Sequence, residues 1–242
     1  MFPAGFMPGS AQVLVESGGM RTLYACNMSL QAHEMAEAPQ FVETDTLVLK
    51  AAYGSPLFVF PSREDIRNRM VTRAREVLGR GGTPVFLCSP AGKAQEVVQA
   101  LMESGLDVCV HRQIARIDKA YRVLGFDPGP ARVCKGDVKV GECVVFPERL
   151  RHSVILKRLK KAHLIWLSGR AVLPDVLSKL RLDEGIPLAG HLDHAGLIEY
   201  VERTKARMIY TTGVWAEEFA ADLRQRGHEA SALHREAQLS LF

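Results

Sequence analysis

The residues best suited by type to do chemistry lie at His191-Leu-Asp193-His194, two imidazoles and a carboxylate within four positions. Such groups are ligands for a dication. They are equally suited to a helix start, where Asp193 or His194 would satisfy free backbone N–H groups. A second candidate, Ser89-Pro-Ala-Gly92-Lys93-Ala94, carries a Gly-Lys pair like that of a phosphate-cradling loop. That loop fails twice. Leu87 stands where the first Gly belongs, and Ala94 replaces the Ser or Thr that would bind magnesium. No Gly-x-Ser-x-Gly turn is present, so no nucleophile system stands out. Arg149, Arg151, Lys157, Arg158, Lys160 and Lys161 fall within thirteen residues. A run of this kind either tracks phosphates or forms a solvated helix face.

The elements that must position these groups alternate between strand and helix. Ala11–Glu16, Thr22–Cys26 and Thr46–Leu49 read as short strands, with Gly18-Gly19 as a turn. Ser62-Arg-Glu-Asp65 is a capping-box start for a helix in which Ile66, Met70, Ala74 and Val77 share one side. The spacing then predicts strands at Pro84–Cys88, Leu106–His111, Cys143–Phe146 and His163–Leu167, with helices at Gly92–Ser104 and Gln113–Leu124. It further predicts helices at His194–Lys205 and Ala216–Arg226, and strands at Arg207–Thr211 and Glu229–Leu233. Such alternation implies an α/β fold with largely parallel pairing.

Composition sets the class. Hydrophobic residues at 47% and charged residues at 24% are ordinary for a soluble globular chain with a real core. No run reaches the roughly 20 apolar residues that span a bilayer. Met1–Ser10 lacks the pattern of a signal peptide, and the expected compartment is the cytoplasm. Cys26, Cys88, Cys109, Cys134 and Cys143 include no C-x-x-C pair, and three of them sit in apolar strand-like runs. They read as small hydrophobes, with neither a disulfide framework nor a thiolate zinc site expected. A formal charge of +4 permits nucleic-acid contact without arguing for it.

Ala4-Gly5-Phe6-Met7-Pro8-Gly9-Ser10 resembles the A-G-H-x-x-G-S motif of metallo-β-lactamase nucleases, with Phe6 in place of a metal-binding His. Leu23–Asn27 resembles a strand that in that family ends in Gly-Asp; Asn27 replaces the metal-bridging acid. Asp45–Gly54 is similar to the D-T-L-V-x-E-S-T-Y-G segment that opens the β-CASP insert, with Lys50 for the acid. Ser89–Glu96 resembles the A-x-G-x-x-Q-E turn of the β-CASP domain. Leu182–Leu197 resembles a stretch of ligase-associated DNA exonucleases and keeps His191 and Asp193. Tyr210-Thr-Thr212-Gly213 matches V-T-H-G, with Thr212 for a ligand His. The ordered series runs from residue 3 to about 235.

The resemblance implies a partial metallo-β-lactamase-type layered domain from residues 1–57 and 171–235. Residues 58–170 would form an inserted β-CASP domain. The family's H-x-H-x-D-H cluster is not in this sequence, and Ala189 fills the slot of the first His beside His191-Leu-Asp193-His194. Phenylalanine offers no lone pair, and an amide or hydroxyl holds a hard dication poorly. Lys50 either repels metal or points to water. The expectation is therefore no catalytic residues and no bound metal. The absent half-domain would leave an apolar face for a second copy or another partner to cover.

Gln238-Leu239-Ser240-Leu241-Phe242 resembles the Q-L-[S/D]-L-F consensus that docks bacterial proteins on the β sliding clamp. Leu241 and Phe242 would fill an apolar cleft, with Gln238 hydrogen-bonding at its edge. The leading expectation is a noncatalytic accessory factor in bacterial DNA replication or repair, tethered to the clamp and in contact with DNA. The alternative is a DNA or RNA nuclease, dependent on zinc or manganese, that completes its site with a partner chain. A third is a protein-interaction module without a nucleic-acid role.

Overall fold

The computed structural model describes residues 1–31 and 33–233. In chain order they form β1 (Phe2–Pro3), β2 (Ala11–Ser17), β3 (Met20–Ala25), β4 (Thr46–Lys50), α1 (Arg63–Gly79), β5 (Thr83–Cys88), α2 (Lys93–Glu103), β6 (Val108–Val110) and α3 (Arg112–Val123). There follow β7 (Arg132–Val133), β8 (Cys143–Pro147), α4 (Val154–Lys157), β9 (Ala162–Leu167), α5 (Val176–Leu180), β10 (Glu184–Ile186), α6 (His194–Thr204), β11 (Met208–Thr212), α7 (Ala216–Gln225) and β12 (Glu229–Ala232).

The first sheet has the order β1-β2-β3-β4-β11-β12. Gly18 and Gly19, both at positive φ, close the β2–β3 hairpin, a backbone that side chains with a Cβ resist. Beyond the hairpin the ladder is parallel. Its strands alternate. Leu23, Ala25, Leu47, Leu49 and Ile209 are buried against Leu197, Tyr200 and Val201 of α6 and Phe219 and Leu223 of α7. Their neighbours point the other way. In register, Val13, Tyr24, Val48, Tyr210 and Ser231 form one row across five strands. No buried core residue lies in that row, and Tyr24 is 47% exposed. Parallel strands are ordinarily covered on both faces; here one face is open among the described residues.

The second sheet, β10-β9-β5-β8-β6-β7, is parallel throughout and covered on both sides. Ile66, Met70 and Ala74 of α1 and Val97, Val98 and Leu101 of α2 bury one face. Leu156, Val176 and Leu182 help bury the other. The central strands β5 and β8 are accordingly near-continuous apolar runs rather than alternating ones. Ser62 caps α1 as its motif implies, its Oγ accepting from Asp65 N at 3.1 Å.

Two expectations are corrected. β10 pairs with β9, which carries the second sheet to Ile186, past the boundary expected at residue 170. Cys109 and Cys134 form a disulfide, their Cα atoms 5.5 Å apart. The β6–β7 pairing brings them together across 25 residues of sequence, a proximity that spacing does not reveal. Cys88 and Cys143 behave as read; burial pushes both thiols up to about 12. The clamp-type segment Gln238–Phe242 lies outside the described residues. No described helix is long and apolar enough to cross a membrane.

The two faces of the first sheet should respond differently to truncation. Leu47→Ala, beneath the helices, is expected to cost about 2–5 kcal/mol in urea denaturation, as core truncations do. Val15→Ser, on the open face, should change stability by no more than about 0.5 kcal/mol.

Candidate nucleic-acid cleft

Asn27 follows β3, Lys50 ends β4 and Thr212 ends β11, so three neighbouring parallel strands deliver these residues from their carboxyl ends. Thr212 lies opposite Lys50 in the ladder. Asn27 Oδ1 accepts from Lys50 Nζ at 3.2 Å and sits 2.9 Å from His191 Nε2, which requires the tautomer with its proton on Nε2. Burial, then the Lys50 and Lys93 ammoniums, lower the His191 pKa to about 4. The imidazole is therefore neutral at physiological pH.

Phe6 rides on a tight turn in which Ser10 Oγ accepts from Phe6 N at 3.1 Å and Met7 N at 3.2 Å. Its ring centroid lies 4.8 Å from that of His191. Gly190 makes room for it: a Cβ there would come within 2.6 Å of the ring. Asp193 takes the helix-capping role, its Oδ1 accepting from Gly196 N at 2.9 Å and its Oδ2 from Phe60 N at 3.1 Å. His194 turns to α7, where Nε2 lies 3.0 Å from Asp222 Oδ2. The three residues of the 191–194 cluster thus point in three directions. Among the described residues no three His, Cys, Asp or Glu side chains gather as a metal site.

The second sheet presents its own carboxyl ends to the same space. Ser89–Lys93 follow β5, Glu148 follows β8, and Ser168 and Arg170 follow β9. With Phe6, Tyr53, Arg63, Trp166 and His191 they line a cavity of about 300 Å³. Open parallel sheets bind ligands outside the carboxyl ends of their strands. Lys93 donates to Leu167 O at 2.7 Å, and desolvation holds its pKa below the ordinary lysine value. Gly92 begins α2 without a side-chain cap, leaving N–H groups of that helix end for another acceptor. Arg63 forms an ion pair with Glu96 and donates to Ser29 Oγ at 3.3 Å and Ala189 O at 3.2 Å. The lining sets three cations, Arg63, Lys93 and Arg170, against two carboxylates, Glu96 and Glu148, with Glu96 already paired to Arg63.

Over all 242 residues the chain is 30% identical to a probable DNA ligase of Opitutus terrae, of which it spans 24%. It is 27% identical over 99 residues to an RNase J-like protein of Methanocaldococcus jannaschii, covering 40% of this chain and 24% of that protein. With the cleavage and polyadenylation specificity factor 73 of Drosophila melanogaster it shares 29% identity over 102 residues, 41% of this chain and 15% of the relative. These relatives are consistent with the metallo-β-lactamase/β-CASP superfamily that the motif series resembles. No family model matches it. It spans about a quarter or less of the length of these relatives. Several matches are named as RNases, which favours the nuclease expectation over the accessory-factor one.

The superfamily resemblance implies a metal pair, and the residues present do not fit one. Phe6 fills ligand space with a ring, Lys50 places an ammonium on Asn27, and Asp193 is spent on a helix cap. His191 alone keeps a donor nitrogen. Sequence reasoning placed this group together through the resemblance, but missed Arg63, Trp166, Ser168 and Arg170. Their signal was position: Trp166 to Arg170 cross the carboxyl end of a strand. Lys93 was visible as a Gly-Lys pair but resembled a loop it could not be.

The basic run divides. Arg149 and Arg151 follow the carboxyl end of β8, whereas Lys160 and Lys161 precede the amino end of β9. Lys157, Arg158, Lys160 and Lys161 are exposed, on the part of the crossover that returns to the opposite end of the sheet.

The His191 environment is testable by titration. Asn27→Asp puts a carboxylate against the imidazole and Lys50→Met removes a cation, so each should raise the His191 pKa from about 4. NMR of the ring protons reads this; an unchanged value in both variants would contradict the geometry.

Proposed function

We propose that the chain works on DNA in the nuclease class of its relatives, as the substrate-holding portion of a metal-dependent nuclease whose metal ligands come from another polypeptide layer. The observation that carries this reading is the cleft where both sheets end, in which Arg63, Lys93 and Arg170 converge and no three described His, Cys, Asp or Glu side chains gather as a metal site. DNA is favoured over RNA because the relative that matches the entire chain is named a probable DNA ligase. In the cleft, the N–H groups at the start of α2, Lys93 and Arg63 would hold a backbone phosphate. The open face of the first sheet, with its row from Val13 to Ser231, supports the second part of the proposal. A further β-layer lying there would cover the parallel strands and reach the Asn27–Lys50–His191 end.

A second reading has its own support. Phe6 and Lys50 replace family groups with ones that exclude metal, and Asn27 with one that holds it poorly, which fits a noncatalytic accessory factor in DNA replication or repair. In that case Gln238–Phe242 would dock on the bacterial β sliding clamp.

Two measurements separate these. The purified chain should bind DNA with strong salt dependence, carry no stoichiometric zinc or manganese, and cleave nothing when manganese is supplied. Metal-dependent cleavage by the chain alone, lost in His191→Ala, would show that the chain seats its own metal and defeat both readings. A polypeptide that covers the open face should restore cleavage under the first reading and not under the second. Under the second, deleting Gln238–Phe242 should abolish clamp binding in a surface-binding assay.

A further inference from the structure

Beside the cleft lies a second cavity, of about 250 Å³, that the reading above does not use. It shares Glu148, Trp166 and Arg170 with the first, so the two adjoin. Arg149 and Arg151 complete its charged rim. None of these three arginines is in an ion pair among the described residues. Arg151 Nε is buried without a hydrogen-bond acceptor, an orphaned donor that costs free energy unless a ligand supplies the missing oxygen. Leu87, Trp166, Leu180 and Leu182 supply the apolar lining, with Trp166 only 5% exposed. Glu148 is the one acidic side chain of the pocket, and its carboxylate is engaged by Trp166 Nε1 at 2.7 Å.

Guanidiniums that lack carboxylate partners, set against an aromatic and aliphatic wall, suit a ligand with an anionic edge and a flat apolar body. A nucleotide unit has both. A base still paired in a duplex could not enter a cavity of about 250 Å³, whereas an unpaired one could lie against the Trp166 side.

We propose that the pocket formed by Arg149, Arg151 and Arg170 binds a phosphodiester of single-stranded DNA as the strand leaves the cleft, with Trp166 against its apolar part. The site rests on the DNA-handling reading and extends it by assigning strand state and path. The path turns at Arg170 along the carboxyl ends of β9, β5 and β8 and stays on that side of the sheet.

The test is fluorescence anisotropy with a labelled single-stranded 12-mer and the matching duplex, over a salt series. Arg149→Gln/Arg151→Gln should weaken single-strand binding about tenfold or more and flatten the salt slope by about 0.7, the share of one phosphate contact on a single strand. The charge-matched control Arg116→Gln/Lys119→Gln, on exposed positions of α3, should stay within about twofold of wild type. Glu148→Gln, which keeps an acceptor for the indole, should tighten binding. In a Trp215→Phe background the remaining Trp166 emission should change on single-strand binding and not in the double arginine variant. Wild-type affinity and slope in that variant would overturn the assignment. Binding of duplex alone would overturn it while leaving the DNA reading intact, and binding of neither probe would remove both.

Discussion

The cleft depends on one half-buried guanidinium. Arg63 begins α1, yet its side chain reaches Glu96 on α2, Ser29 in the loop after β3 and the Ala189 carbonyl before α6. Those three contacts join the second sheet's helices to two loops of the first sheet's domain. The pair with Glu96 is little exposed, at 12% and 14% of the side chains. A pair in such surroundings adds little net stability over an apolar substitute, but removing one partner strands the other charge. Its contribution is therefore geometric: it fixes the angle at which two sets of strand ends meet.

That meeting has an electrostatic consequence. Burial, reinforced by the Lys50 and Lys93 ammoniums, keeps the His191 imidazole neutral, and Asn27 brings a dipole in place of a charge. A dication entering this space would meet ammoniums and a phenyl ring. A phosphate would meet Lys93, Arg170 and the uncapped start of α2, alongside the Glu96 and Glu148 carboxylates.

The two sheets differ in covering, and their sequences differ for the same reason. β5 and β8 lie between helical layers and are apolar at every position that matters. β3, β4 and β11 bury alternate residues only, which leaves Tyr24, Val48 and Tyr210 on a face the described residues do not cover. The row mixes valine, tyrosine and serine, with Val13 and Tyr24 its exposed large side chains.

The regular elements were legible in the sequence because period-2 and period-3.6 patterns are local: the capped helix from Arg63, the buried strand Thr83–Cys88 and the helix behind Asp193 all announce themselves. Asp193 could be narrowed to a cap or a ligand, and the family resemblance grouped Phe6, Asn27, Lys50, His191 and Thr212. Strands of two or three residues such as β1, β7 and β10 carry too little pattern to register. Only the tertiary structure decided that Asp193 caps while His191 meets Asn27, that Cys109 and Cys134 pair, and that the basic run splits between opposite ends of a sheet. The physical reason is the same in each case. Residue type and spacing fix what a segment prefers along its own axis, whereas which side chains share a cleft follows from strand order and loop direction, set by packing between residues far apart in the chain.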